Sequence, residues 1–293
     1  MAVIFALLVV IMLTAGIYLF GYAARISSLL YVLFLETIIG LVLIFPLLIW
    51  VDHLSIAQIF STANKENWYW LAGAAAFGYA GGNFFSLMNI KAVGEKSNSL
   101  LSPAITATTI VLSFFVFGEW LLWQQWLGVV IVLGAVVYFL IQPKPTIATS
   151  QRKAGIISGI LCIICISFTI IFSIKGASSN ITLLQAIWIR LLLALLIIAP
   201  LLIFSSRRRL AAKQPLKFYA VIILAVICQT IVGNYLWFYA SFRLGISAFQ
   251  VILATIPLFV YAIDVFLLKK SANAPSFLLA AIVAAAGICL VVF

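Results

Sequence analysis

The chain has 293 residues, of which 66% are hydrophobic and only 8% charged, with a formal net charge of +11. A soluble domain carries roughly 25% charge, and no water-soluble fold of this length has interior enough to hide so much apolar surface. A bilayer acts as solvent for that surface instead: about 20 apolar residues cross its ~30 Å core as a helix, and ten such crossings leave short loops and no room for a soluble domain.

In chain order, the apolar runs predict helices at 2–22, 29–50, 68–90, 99–118, 124–142, 155–174, 183–204, 218–240, 246–268 and 275–293. The first run starts at Ala2 and is too long and uninterrupted for a cleavable signal, so it is expected to be the first span. Loop chemistry marks the breaks: Ala-Asn-Lys-Glu-Asn at 63–67, Gln-Pro-Lys-Pro at 142–145, and Arg207-Arg208-Arg209. Six of the eight tryptophans (Trp50, Trp68, Trp70, Trp120, Trp123 and Trp126) fall at predicted helix ends, where an aromatic belt belongs. The expected fold is therefore an all-α integral membrane protein of ten transmembrane helices.

The chain repeats internally. Glu36 aligns with Arg190 and Pro46 with Pro200 at an offset of 154, while Gly82-Asn83 aligns with Gly233-Asn234 and Gly94 with Gly245 at 151. The change of three falls where the loop at 51–67 meets a shorter counterpart at 205–217. Residues 1–145 and 146–293 thus read as two five-helix copies. Because five is odd, the second copy enters the membrane from the opposite side. This is the inverted repeat of many secondary transporters, with the solute site near the midplane between the halves.

Cys162, Cys165, Cys228 and Cys289 all lie in apolar segments. The C-x-x-C pair lacks a second pair or a nearby His, so no zinc set is expected and all four read as reduced packing residues. His53 is the lone histidine and sits in a loop. No nucleophile with its base, phosphate-binding Gly-rich loop or cofactor motif is present, so an enzyme is not expected. The Lys and Arg residues lie in interhelical loops, which reads as membrane topology rather than as nucleic-acid binding.

Polar side chains in membrane helices avoid lipid, so their spacing shows which face points inward. The third helix carries Tyr79, Asn83 and Ser86, and equivalent positions of the eighth carry Thr230, Asn234 and Trp237. The fourth has Ser99, Ser102, Thr106, Thr109 and Ser113 on one stripe; the ninth has Gln250, Pro257 and Asp264 seven apart, with Tyr261 close to that face. Four such stripes from two repeat-related pairs suit a central polar cavity. Each hydroxyl also has a plainer reading as interhelical glue, worth about 0.6 kcal/mol per bond, or as a bond back to its own helix. Asn83 and Asn234 have more hydrogen-bonding sites than a lone helix satisfies. Gly78-x-x-x-Gly82 allows a neighbouring helix to come close. Pro257 frees a carbonyl in mid-helix, for a solute, a hinge or a neighbouring hydroxyl.

Glu36 and Arg190 are the ionisable residues well inside helices, each roughly 10 Å deep by helical rise. The fourteen Leu and Ile of the seventh helix offset an arginine cost of about 2.5–3.5 kcal/mol, so it still inserts. Arg190 either snorkels or binds an anionic group, and Glu36 is a candidate for carrying a coupling proton. Asp264, near the cytoplasmic end of the ninth helix, reads first as a solvated interface residue, with ion coupling or charge binding as its alternative. Since the halves are inverted, no pairing of Glu36 with Arg190 is assumed.

Leu101-Ser102-Pro103, Phe117-Gly118-Glu119, Trp126-Leu127-Gly128 and Leu133-Gly134 resemble the EamA-type half of the drug/metabolite transporter superfamily. Ile189-Arg190-Leu191 and Ile256-Pro257-Leu258-Phe259 resemble the pattern of its second half. The resemblance implies ten helices in two inverted repeats, a cavity lined mainly by helices 1, 3, 4, 6, 8 and 9, and export or exchange of amino acids, metabolites or toxic compounds across a bacterial cytoplasmic membrane. The sequence departs from that pattern at Lys269-Lys270, which replace the second Gly-Glu, and at Glu36, where an arginine is usual.

The expected function is alternating-access transport of a small solute, without a cofactor and driven by a proton or counter-solute gradient. Tyr79, Asn83, Ser86, Thr106, Thr230, Asn234, Trp237, Gln250 and Tyr261 are the expected solute contacts. The second reading is a lipid-translocating or lipid-binding component, which an apolar cavity open sideways to membrane lipid would favour.

The odd-numbered loops carry thirteen Lys and Arg against three on the other side, counting Lys65, Lys175 and Arg243 there. That bias places the odd loops in the cytoplasm and both termini outside, the reverse of the orientation usual for the resembled family. A reporter fused to the C-terminus is expected to be active only on the outer side; a cytoplasmic signal would overturn the assignment.

Overall fold

The computed structural model describes residues 2–117, 122–141, 149–177, 180–204, 214–269, 279, 282–283 and 286–287. All regular structure among them is helical: α1 (Ala2–Ile26), α2 (Leu29–Trp50), α3 (Ile56–Ser61), α4 (Lys65–Ala75), α5 (Phe84–Val93), α6 (Glu95–Ser99), α7 (Leu101–Phe117), α8 (Trp123–Ile141), α9 (Thr149–Gly176), α10 (Leu183–Phe204), α11 (Leu216–Ala225), α12 (Asn234–Leu244), α13 (Ile246–Leu253) and α14 (Ile256–Ala262). A π-helical segment, Ala76–Asn83, joins α4 to α5; a second, Val226–Gly233, joins α11 to α12; a third, Ile263–Leu267, follows α14. Among the described residues, six helical spans are long and apolar enough to cross a bilayer: Val3–Ile26, Leu29–Trp50, Glu95–Val116, Ser150–Gly176, Leu183–Phe204 and Leu216–Leu244. The helix predicted at 275–293 lies outside the described residues, apart from positions such as Gly287, which packs against Val132 of α8.

α2 and α10 begin and end where the sequence predicts, and each carries its proline inside, Pro46 and Pro200. α3 was not expected. Six residues are too few to show a helical period, yet Ser55 and Gln58 close it with a reciprocal capping box. It accounts for part of the longer loop in the first copy.

The two copies run in opposite directions. α2 faces its own counterpart α10, Gly40 meeting Leu191 and Phe45 meeting Trp188, so residue numbers rise on one helix as they fall on the other. α1 lies antiparallel to the α11–α12 span: Phe5 packs on Tyr239 at 5.2 Å, Gly16 on Gln229, and Lys217 lies over Tyr22. Its counterpart α9 crosses 65–93 in the same manner. Asn67 Nδ2 donates to the Gly176 carbonyl at 2.9 Å at one end, and Asn89 Nδ2 to the Gly155 carbonyl at 2.7 Å at the other. Between these two staples, Gly82 sits so close to α9 that a Cβ would lie 2.3 Å from Ile166 Cδ1, which gives the small-residue face its partner.

Two more features repeat. Gly94 (φ 89°, ψ 171°) and Gly245 (φ 80°, ψ 154°) turn the chain through the same conformation, which is essentially reserved for glycine. After those turns come α6 with five residues and α13 with eight. The three extra residues restore the offset of 154, so Pro103 near the start of α7 stands opposite Pro257 near the start of α14. The ninth predicted helix is thus broken at Ala254–Thr255. Leu253, four residues before Pro257, is the carbonyl freed by the proline ring, and it accepts Ser102 Oγ of α7 at 2.9 Å. Of the outcomes open to that carbonyl, the neighbouring hydroxyl holds it.

A buried cluster running through both copies fills the centre, with Phe218, Phe238, Phe249, Leu33, Ile44 and Leu71 inaccessible. Large apolar side chains such as Val42, Trp50, Tyr69, Trp123, Leu196 and Phe204 cover the outside, the arrangement expected where lipid is the solvent. Cys162, Cys165 and Cys228 are free thiols.

Gly94→Ala places a Cβ on a backbone that only glycine adopts without strain. We expect it to cost about 1–3 kcal/mol, seen as a lower apparent melting temperature of the detergent-solubilised protein; unchanged stability would contradict the turn geometry.

Candidate functional site

A polar side chain buried in these helices needs a partner from another helix, because lipid offers none. Glu36 of α2 is 2% exposed. Its carboxylate accepts Thr230 Oγ1 at 2.9 Å from the second π-helical segment and Asn83 Nδ2 at 3.3 Å from the end of the first. The donors are thus supplied by both copies. Its repeat counterpart Arg190, on α10, donates through Nη1 to Ser173 Oγ of α9 at 2.9 Å. The guanidinium lies over the rings of Tyr79 at 5.4 Å and Phe238 at 5.7 Å, contacts that are attractive for a cation out of water.

Apart from Phe238, these groups line one cavity of about 220 Å³. Tyr79, Asn83, Ser86, Thr230, Asn234, Trp237 and Gln250 all reach it, as do Glu36 and Arg190. Glu36 and Arg190 form no ion pair with each other. Inversion of the copies does bring both to one chamber, since α2 and α10 cross face to face. Asn234 Nδ2 bonds back to its own helix at the Thr230 carbonyl, 3.0 Å away. Trp237 packs edge-on against Phe249 at 6.0 Å.

Three predicted residues lie elsewhere. Thr106 is fully buried behind the cavity wall, where its hydroxyl meets Gln250 Oε1 at 3.2 Å and holds α7 against α13. Tyr261 and Asp264 lie on the far side of the α13–α14 break, off the cavity lining. Asp264 is 2% exposed, ion-paired with Lys96 Nζ at 3.3 Å and accepting Tyr18 Oη at 2.9 Å. It is buried rather than solvated because α6 delivers a lysine to it. Beside it, Arg25 at the end of α1 pairs with Glu95 at 2.6 Å. Thr109 and Ser113 are buried along α7 below Thr106 and do not line the cavity.

The lining also includes residues not singled out from the sequence, Gln229, Ser173, Thr169 and Asn98, and Cys162, which was read only as a packing residue. Thr169 and Ser173 are spaced by four on α9, a signal that was present. Gln229 is one residue off the Thr230–Asn234–Trp237 stripe and belongs outside it in a regular α-helix. The π-helical segment Val226–Gly233 changes the turn there, and such segments gather at functional sites.

The profile of the EamA-like transporter family matches residues 1–141 and again residues 153–293. The chain belongs to the EamA-like transporter family. It is therefore an integral multi-pass membrane protein and a transporter of small solutes. No protein of curated function matches it. A crystal structure described only as that of a protein superposes with a TM-score of 0.69 at 15% identity, covering 99% of this chain and 95% of the other. That likeness shows a shared fold. In this EamA-like transporter, the cavity receives charged groups from α2 and α10, through Glu36 and Arg190.

Thr230→Val keeps the side-chain shape and removes a donor from a buried carboxylate. Hydrogen bonds to charged groups are worth about 1.5–3 kcal/mol, so the variant is expected to lose stability on that scale in thermal unfolding, while Thr230→Ser retains most of it.

Proposed function

We propose that this protein is a secondary transporter that carries a small polar solute through the central cavity by alternating access, the two copies rocking about the α2–α10 contact. The observation that carries this reading is that polar and charged side chains from both copies converge on one cavity of about 220 Å³. Asn83, Asn234, Tyr79 and Gln250 orient the solute, Trp237 packs on it, and Arg190 and Glu36 recognise charge. The paired helix interruptions support the motion, because broken helices flanking a midplane site are where transporters of inverted architecture hold their ligands. The chain carries no ATPase motif, so an ion or solute gradient drives the step. Glu36, Arg190 and the twelve amide or hydroxyl side chains on the lining favour a soluble solute over a lipid tail, which makes no use of them.

The test is uptake or counterflow in proteoliposomes, with substrates first found by thermal-shift screening of metabolites, since a ligand of the folded state raises its apparent stability. Asn83→Ala and Asn234→Ala are each expected to lower kcat/KM about tenfold or more, the loss of roughly 1.4 kcal/mol of binding. Unchanged kinetics in both variants would place the solute elsewhere.

A further inference from the structure

Next to the main cavity is a second chamber of about 30 Å³ between α1, α2, the α5 span and the second π-helical segment. The two share Glu36, Asn83, Ser86 and Gln229 as a common wall. We propose that this side chamber binds a single sodium ion.

The first argument is what the chamber leaves unpaired. Gln229 Oε1 is buried and has no hydrogen-bond partner in the protein. It is pressed against α1 at Gly16, where a Cβ would lie 1.8 Å from it. Glu36 is a carboxylate with two hydrogen-bond donors and no ion-pair partner among the described residues. Asn83 spends its Nδ2 on Glu36, and its carbonyl oxygen accepts no hydrogen bond among the described residues. Ser86 donates to Asn98 Oδ1 at 3.1 Å, which leaves its oxygen lone pairs available. A cation at this place supplies the missing charge for Glu36 and the missing partner for Gln229 together.

The second argument is the kind of cation. The donors are all oxygen, which selects a hard ion over a transition metal. One carboxylate balances one positive charge, and Arg190 on the adjoining wall opposes a second. The chamber is small, about 30 Å³ against about 220 Å³ for the main cavity, which suits a single small ion rather than a solute. Mg²⁺ gives up its waters reluctantly and carries a second charge that one carboxylate leaves unbalanced. A proton on Glu36 would remove its charge but leave Gln229 Oε1 without a partner.

The third argument is position. Gln229 and Thr230 lie within one π-helical segment and Asn83 ends the other, so the site forms where both helices depart from regular winding. Coupling ions of inverted-repeat transporters are held at such interrupted helices. Sodium in the chamber cancels Glu36 and leaves Arg190 as the net charge facing the solute. Ion and solute binding are then linked. The linkage rests on the central cavity being the solute site, whereas ion binding itself does not.

The test separates the two. Purified protein in nanodiscs is titrated with sodium against N-methylglucamine at constant ionic strength and pH, reading apparent melting temperature and binding of radioactive sodium. The expected result is saturable binding of one ion per chain that potassium does not displace. Half-saturation should move about 10–100-fold, the loss typical when a shell group of an ion site is removed, in Gln229→Leu and Ser86→Ala. Absence of saturable sodium binding by the unaltered protein, equal displacement by potassium, or unchanged affinity in both variants would overturn the proposal. Sodium binding without transport would leave the ion site standing and remove the function proposed for the cavity; sodium-independent transport without sodium binding would do the reverse.

Discussion

Hydrocarbon supplies no hydrogen bonds, so each polar group that this chain takes into the membrane has to find its partner in the protein. The helix contacts follow from that requirement. Asn67 and Asn89 fasten the two ends of the 65–93 span to α9 through backbone carbonyls. Ser102 takes the carbonyl that Pro257 frees. Gln185 at the start of α10 reaches the Ile59 carbonyl and the Thr62 hydroxyl of the first copy. None of these bonds is worth much alone, since interhelical hydrogen bonds average about 0.6 kcal/mol. Their direction matters more, because each fixes which face of a helix meets which neighbour.

The cavity arises where this accounting stays incomplete. Duplication gives two copies the same backbone devices: a proline-bearing second helix, a π-helical segment in the third, a glycine turn, and a proline near the next helix start. It also places residue 36 opposite residue 190 across the contact between copies. Had both positions kept an arginine, the centre would hold two like charges. With Glu36 and Arg190 it holds one of each, far enough apart to form no ion pair and each with neutral partners of its own. The polar lining between them is accordingly available to a ligand.

Much of this was legible in the sequence, for identifiable reasons. Hydrophobic runs mark spans because lipid tolerates little else, so α2 and α10 were read with both ends in place. The repeat was visible because Gly94 and Gly245 occupy a backbone conformation that other residues avoid, and the stripe of Tyr79, Asn83 and Ser86 was visible because polar faces turn from lipid. What could not be read depended on departures from ideal winding or on the third dimension. The π-helical segments moved Gln229 onto the lining. The break at Ala254–Thr255 separated Gln250 from Asp264, which seven-residue spacing had placed together, and from Tyr261 beside that face. Lys96 became the partner of Asp264 through the placement of α6, which no local pattern announces.

The ion pairs around α6 make the two rims of the molecule chemically unlike. At one rim, Arg25, half of whose side chain is exposed, holds Glu95, and Lys96 holds Asp264, tying α1, α6 and the segment after α14 together. At the other, the fastenings include the amide of Asn67, the amide of Gln185, and the hydroxyl of Thr182 on Asp52. Dissolved salt screens charges near water over about 8–10 Å and acts far less on buried pairs. A rise in ionic strength thus weakens the water-facing Arg25–Glu95 pair more than the hydrogen bonds that fasten the opposite rim.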